Sequence, residues 1–376
     1  MSTGASHTIG IDARAASEVP AGRGRVVREL LRELSAREDH NCRYVLYARR
    51  AWEDQPLDKR FSWRLIGASE PRWHLLAARR ANRECDVFLS TNSYLTPLLL
   101  RIPTVTIVYD LTTFEPSMRP NRRSTAIERL TLGPAARRSA ALLCISQATA
   151  NALTSRFPAA SDRVLVAPLG VTPALSAQLD PAEPDSTQID PTRPDPTQLD
   201  PAESAGLPAP GFVLAVGTLE PRKNLPRLVA AYRALDEPLQ RSHPLVVVGA
   251  LGWETGETLD ALRSLGNRCT MLGHVSDAAL AELYRRCAIF CYPSLGEGFG
   301  LPVLEAMAAG AAVLTSNVSS LPEVGGDAVA YADPVDARDI ARALQSLLED
   351  SRRRAELGAR ARARAGEFTW ARFAEL

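Results

Sequence analysis

Two carboxylates, Glu297 and Glu305, flank a glycine-rich turn in Ser294-Leu-Gly-Glu-Gly-Phe-Gly-Leu-Pro-Val-Leu-Glu-Ala-Met-Ala-Ala-Gly310. The segment reads as a strand, a tight turn and the start of an apolar helix. Backbone N–H groups in the first turn of a helix lack intrahelical acceptors and attract anions. Two carboxylates beside an anion site suit a sugar nucleotide, with phosphate oxygens on the amides and the hydroxyls of sugar and ribose on the carboxylates. Further upstream, Gly217-Thr-Leu-Glu-Pro-Arg-Lys-Asn224 follows an apolar run and supplies Arg222 and Lys223. Arginine offers a planar fork of donors and lysine a compact ammonium, both matched to phosphate oxygens.

Parallel strands must carry these groups. Apolar, β-rich runs alternate with helical patterns along both halves of the chain. The strand candidates are Thr8–Ala13, Tyr44–Tyr47, Val87–Ser90, Val105–Tyr109, Leu142–Ser146 and Val164–Ala167, then Phe212–Val216, Leu245–Val248, Ala288–Tyr292, Ala312–Thr315 and Ala328–Tyr331. Helical patterns over Arg25–Ala36, Leu225–Leu235 and Ala278–Arg286 fall between them. Near-continuous apolar strands alternating with helices specify parallel sheets buried on both faces. Such sheets bind ligands beyond the C-terminal ends of their strands. Between the halves, Thr187-Gln-Ile-Asp-Pro191 recurs as Thr197-Gln-Leu-Asp-Pro201 in a stretch rich in Pro, Asp and Thr. Too few large apolar residues stand there to offset ordering entropy, so residues 176–208 read as a disordered linker insertion.

Composition narrows the class. With 45% hydrophobic and 23% charged residues, the 376-residue chain has the make-up of a soluble globular protein of two domains. No run of 18 apolar residues exists, and the first residues lack a basic start followed by an apolar core. The six cysteines are scattered without Cys-x-x-Cys, which points to free thiols in a reducing cytoplasm and away from a zinc site. Basic residues outnumber acidic ones before residue 170, while the linker is acidic, so the net charge of +1 hides an asymmetry. A basic half favours anionic surfaces or diphosphate-bearing acceptors, or is simply a solvated surface. Nucleic acid is set aside because no binding module accompanies the charge.

The segment Pro293–Gly310 resembles the Glu-x7-Glu motif of retaining glycosyltransferases of family 4, which have the two-domain GT-B fold. The resemblance covers nearly the whole chain outside the linker. It implies an α/β architecture of two doubly wound, Rossmann-like domains facing across a cleft. The N-terminal, acceptor-side domain is set at 1–175 and the C-terminal, nucleotide-sugar-binding domain at 209–365. A final helix, 366–376, crosses back to the first domain. On the donor side the resemblance implies diphosphate contacts from Gly217, Arg222 and Lys223, backbone contact with the base around Val275, and amides of Gly298, Phe299, Gly300 and Leu301 on the phosphates. Glu297 would touch the transferred sugar and Glu305 the ribose. Many relatives have arginine directly after the first glycine; here Thr218 stands there, so that role passes to Arg222. Other glycosyltransferases hold a divalent metal with Asp-x-Asp. That motif is absent from this chain, so no metal or other cofactor is expected.

The N-terminal half supplies three further resemblances. Gly22-Arg23-Gly24 resembles the family's glycine loop near the donor phosphates. Tyr109-Asp110 occupies the position where most relatives carry His-Asp. Tyrosine cannot act as a near-neutral base, so Tyr109 is expected to donate a hydrogen bond and Asp110 to orient the acceptor. Ser146 is expected to cap the following helix. The implied reaction moves a hexose, GDP-mannose being favoured as donor, to a hydroxyl of a glycan or lipid-linked saccharide in polysaccharide assembly. It would take place in the cytoplasm, with peripheral membrane contact through the basic half. Two alternatives stand beside it: a nucleotide-sugar epimerase of the same fold, and a catalytically silent nucleotide-sugar-binding partner, which the departure at Tyr109 would favour.

Overall fold

The computed structural model describes residues 7–19, 22–38, 41–53, 57–115, 122–171 and 206–376. The repeat-bearing linker therefore lies almost wholly outside the described residues. The chain divides into two compact units, Met1–Gly170 with Trp370–Leu376, and Val171–Thr369.

The first unit is built on a seven-stranded sheet of β1 (His7–Asp12), β2 (Cys42–Ala48), β3 (Phe61–Leu65), β4 (Val87–Ser90), β5 (Thr104–Val108), β6 (Ala141–Cys144) and β7 (Val164–Val166). Its order is β3-β2-β1-β4-β5-β6-β7, and every pairing is parallel. Alternate residues of β2 serve opposite faces, as the period of two requires. Tyr44 and Leu46 join a core with Ile11 and Leu31, while Val45 and Tyr47 join another with Trp73 and Phe88. Burial on both faces explains why the central strands read as continuous apolar runs.

The second unit carries six parallel strands: β8 (Val213–Val216), β9 (Leu245–Val248), β10 (Cys269–Gly273), β11 (Ile289–Tyr292), β12 (Val313–Ser316) and β13 (Ala330–Ala332), in the order β10-β9-β8-β11-β12-β13. In each sheet the order reverses once, between β1 and β4 and between β8 and β11. Loops leaving the strands on either side of such a reversal diverge and open a crevice at the strand C-termini.

Two strands escape the sequence pattern, β3 and β10, and both are sheet edges. Along β3 no residue is fully buried, and along β10 Thr270, Met271 and Gly273 are exposed. An edge strand needs apolar side chains only where it meets the core, so its signal fades into that of a loop. The helix caps follow local chemistry: Ser146 Oγ accepts the Thr149 N–H at 3.0 Å and Ser276 Oγ the Ala279 N–H at 3.1 Å. At the C-terminus, the helix Trp370–Glu375 packs on the helix Arg23–Ala36 of the first unit, where Arg37 Nη1 donates to the Ala374 carbonyl at 2.9 Å. None of the six cysteines is paired.

A buried ion pair ties the end of β1. Asp12 is fully buried and Arg14 is 1% exposed. Arg14 donates through Nε and Nη2 to the two Asp12 oxygens at 2.9 and 2.7 Å, reaches Glu70 with Nη1 at 2.8 Å, and lies 3.8 Å from the centre of the Trp73 ring. Leaving one member of such a pair unpartnered in the interior is costly. Arg14→Leu is expected to lower stability by about 3–5 kcal/mol in urea denaturation, and Asp12→Asn/Arg14→Leu together by less than Arg14→Leu alone.

Candidate active site

Of the groups singled out in the second half, Arg222, Lys223 and Glu297 converge at the C-terminal ends of β8, β11 and β12, while Val275 lies apart after the edge strand β10. Arg222 and Lys223 lie in a short 3₁₀ turn, Pro221–Lys223, after β8. Asn224 ends that turn in the left-handed conformation, φ 60°, which asparagine tolerates better than most residues. Its amide donates to the Pro293 and Pro334 carbonyls at 2.9 and 2.7 Å, fastening the turn to the loop after β11. The two loops also meet where Leu295 N–H donates to the Arg222 carbonyl at 2.9 Å.

Glu297 is the hub. Its Oε1 accepts from Lys223 Nζ at 2.7 Å, Ser294 Oγ at 2.7 Å and Tyr292 OH at 2.8 Å, while Oε2 accepts from Arg222 Nη1. Arg222 also donates to Glu220 through Nε and Nη2, at 3.1 and 2.6 Å, and to the Gly296 carbonyl at 2.9 Å. Lys223 donates to Tyr292 OH at 2.5 Å. Serines after β12 clamp the loop: Ser319 Oγ accepts from the Glu297 N–H, and Ser320 Oγ donates to the Glu297 and Phe299 carbonyls.

Burial alone would raise the Glu297 pKa. The Lys223 and Arg222 charges outweigh it and hold the carboxyl at about 2, against an ordinary value of 4.5. Burial lowers the Lys223 pKa, and Glu297 offsets part of that. The Tyr292 hydroxyl, buried beside a carboxylate, is driven well above its ordinary range and stays protonated.

Gly300 opens the helix Leu301–Ala308 at φ 106°, and a Cβ there would stand 2.8 Å from Leu321 Cδ2. Only glycine accepts both constraints. Phe299 is buried, its ring 5.9 Å edge-on from Phe368, so it can meet a ligand only through its backbone. Glu305 is buried on the same helix and accepts from Tyr284 OH at 3.1 Å. Gly217 lies over the Lys223 stem, and Val275 follows β10 beside the exposed His274.

The N-terminal candidates form a separate group in the first unit. Gly22 precedes the helix that begins at Arg23; a Cβ on Gly24 would fall 1.7 Å from the Val19 carbonyl, so helix packing requires this glycine. Tyr109 is buried, and its hydroxyl lacks a hydrogen-bond partner among the described residues. Burial raises its pKa far above the ordinary value of 10.0, further from base chemistry. Asp110 Oδ1 accepts from Thr112 N–H at 2.9 Å and from its hydroxyl at 2.5 Å.

Sequence reasoning missed Tyr292, Ser294, Glu220 and Ser316, whose Oγ donates to the Ser294 carbonyl at 2.7 Å. Tyr292 hid within an apolar strand. Glu220 and Asn224 sat inside the motif already marked, and the left-handed tolerance of asparagine was a usable signal for the latter. Among the described residues, no three His, Cys, Asp or Glu side chains converge as a metal-binding set.

The comparisons with known proteins divide along the same line. A family model described as Glycosyltransferase Family 4 matches residues 20–175, and one described as Glycosyl transferases group 1 matches 201–364. The O-antigen chain mannosyltransferase B of Escherichia coli is 46% identical over 167 residues, 43% of this chain and 42% of that protein, so the match spans less than half of the relative. Among solved structures, WaaG, a glycosyltransferase involved in lipopolysaccharide biosynthesis, superposes with a TM-score of 0.71 at 17% identity over 98% of this chain and 97% of its own. Anabaena Alr3699/HepE in complex with UDP and glucose gives 0.68 at 17% over 96% and 95%. At these identities the structural likeness establishes the fold, which is GT-B.

The Glu297 linkage has a definite sign. A folded pKa below the ordinary value contributes stability that is present above about 4.5 and is lost as pH falls toward about 2. Glu297→Gln is expected to cost about 3–5 kcal/mol near neutrality. In paired urea titrations, the gap between native protein and variant should narrow steadily below pH 4.5.

Proposed function

The chain belongs to the family 4 glycosyltransferases, and from that premise we propose that it transfers a hexose, with retention of anomeric configuration, from a nucleoside-diphosphate sugar to an acceptor hydroxyl. GDP-mannose is the favoured donor and a glycan or lipid-linked saccharide the acceptor, in bacterial polysaccharide or glycoconjugate assembly. The carrying observation is the convergence of Arg222, Lys223 and Glu297 beside the Gly298–Leu301 turn, at the reversal of strand order in the second sheet.

The geometry suggests how the labour divides. As the sugar–phosphate bond breaks, negative charge grows on the leaving diphosphate and the sugar becomes oxocarbenium-like. Lys223, with two of its three N–H bonds directed to Glu297 and Tyr292, keeps a third for a phosphate oxygen. Fixed cations and amides stabilise that charge without reorganising at the moment of reaction. Glu297 Oε1 already accepts three hydrogen bonds, whereas Oε2 accepts from Arg222, so the sugar hydroxyl is assigned to Oε2. Glu305, buried on the helix that the turn opens, is assigned to the ribose. The acceptor proton passes to the leaving phosphate, so no side chain need serve as general base. Neutralisation by protein groups leaves no required role for a metal.

The mannosyl preference rests on the name of the E. coli relative; the HepE complex with UDP supports a nucleotide-sugar donor in this fold. No helix among the described residues is long and apolar enough to cross a membrane. Contact with a lipid-borne acceptor is assigned to the basic first half. Tyr109, in place of the usual histidine, favours the second reading, a silent nucleotide-sugar-binding partner. Turnover by the native protein rejects that reading, and activity gained only on Tyr109→His supports it.

Thermal shift and calorimetry with GDP-, UDP- and dTDP-sugars should show selective stabilisation by one nucleotide, unchanged by EDTA. Lys223→Met should weaken that nucleotide at least tenfold, consistent with the loss of one charge-assisted contact, and Glu297→Ala should lower kcat about a hundredfold. Unchanged turnover in both variants would reject the site.

A further inference from the structure

Of the 44 basic side chains in this chain, only Lys59 and Lys223 are lysines; the rest are arginines. Lys59 is exposed in the turn before β3, whereas the Lys223 side chain is 11% exposed and lies against a carboxylate. The one interior point that carries an ammonium in place of a guanidinium is thus the end of the turn after β8. The two cations differ physically. A guanidinium is a planar fork whose own shape aims its donors. An ammonium is a compact charge on a flexible stem, its N–H bonds are aimed by their partners, and burial weakens its hold on its proton.

Glu297 supplies one partner, 2.7 Å from Nζ. A single contact lets the stem swing about that oxygen. The Tyr292 hydroxyl supplies a second at 2.5 Å, and itself lies 2.8 Å from the same Oε1. With Glu297 ionised and Tyr292 protonated, one pattern of donors satisfies all three groups. Lys223 donates to Tyr292 and to Glu297, and Tyr292 donates its one proton to Glu297. These bonds close a ring, and the third N–H of the ammonium is left with one direction.

The sheet, rather than a loop, sets where that hydroxyl stands. Tyr292 is the last residue of β11 and is 3% exposed. Its ring stacks on Phe290, two residues earlier and so on the same face, with centroids 5.6 Å apart. Its carbonyl accepts from Thr315 Oγ1, on the paired strand β12, at 3.0 Å. We propose that Tyr292 is a positioning residue: its hydroxyl anchors the Lys223 ammonium and aims the remaining N–H at the phosphate oxygen that gains charge as the donor bond breaks. This deepens the transferase reading and rests on it for the oxygen that is met; the hold of Tyr292 on Lys223 stands apart from it.

The groups facing the ammonium are Glu297, Tyr292, Arg222 and Glu220. Burial lowers the Lys223 pKa, Glu297 and Glu220 raise it, and Arg222 lowers it. A hydrogen bond accepted from the charged form favours that form, so Tyr292→Phe should lower the pKa further.

The test uses the full chain with 13Cε-labelled lysine. Two lysines give two signals, and Lys59→Arg assigns them. In Tyr292→Phe the Lys223 midpoint should fall by about one pH unit, as for one charge-assisted hydrogen bond, while that of Lys59 stays in place. Ser294→Ala, which removes a bond to the same carboxylate oxygen and not to Lys223, should shift the Lys223 midpoint far less. Turnover is read as GDP released from GDP-mannose with methyl α-D-mannopyranoside as acceptor. Here kcat of Tyr292→Phe should fall about thirtyfold with KM within about twofold, because the charge remains while its aim is lost. The basic limb of the kcat profile should move down together with the NMR midpoint. In the native protein, 15N relaxation should show the Lys223 ammonium more ordered than that of Lys59, a comparison that needs no variant. An unchanged Lys223 midpoint or kcat in Tyr292→Phe overturns the proposal, as does a loss confined to KM or a Lys223 ammonium as mobile as that of Lys59. A native protein that releases no GDP, with the midpoint shift intact, rejects the GDP-mannose transferase reading and leaves the hold of Tyr292 on Lys223 standing.

Discussion

The second unit is organised around one carboxylate. Glu297 gathers two cations, a tyrosine and a serine from two loops that are distant in sequence. A lone charge in that setting would be neutralised or expelled. Paired as it is, the carboxylate stays ionised and fixes Lys223 and Arg222 at the ends of β8 and β11. Their positions in turn depend on backbone details: the left-handed Asn224, the glycine at 300, and serine hydroxyls that hold the loop carbonyls. Preorganisation of this kind is what stabilisation of a leaving diphosphate requires, because cations already held in place do not reorganise as charge develops.

The two units solve the same geometric problem with opposite chemistry. Each is a parallel sheet whose strand order reverses once, and each collects polar side chains beside that reversal. In the second unit the polar groups satisfy one another through an ion cluster, and the chemistry suits an anionic ligand. In the first, the buried hydroxyls of Tyr94 and Tyr109 lie near the Arg23 charge without hydrogen-bond partners among the described residues. The difference follows from which residues leave β1, β4 and β5 as against β8, β11 and β12.

Much of the fold was legible in the chain because burial on both faces forces an unbroken apolar run. Val87–Ser90 and Leu245–Val248 were bounded to the residue for that reason. The edge strands Phe61–Leu65 and Cys269–Gly273 were not, since an edge is half wet and its sequence need not be apolar. Local chemistry was equally readable: Ser146 and Ser276 cap helices because a serine oxygen can meet an N–H three residues on, a contact that involves no distant partner.

By itself the sequence determined which residues carry charge near glycine, and so marked Arg222, Lys223, Glu297 and Glu305. What each would touch, only the tertiary structure decided. Lys223 and Tyr292 are 69 residues apart and share one carboxylate, and Glu128 comes within 3.9 Å of Arg23 only because the sheet sets β1 and β5, the strands their helices follow, on either side of β4. Secondary structure and capping are fixed by neighbours in the chain, where periodicity records them. Ion pairs and unpaired hydroxyls are fixed by strand order, which local periodicity does not encode.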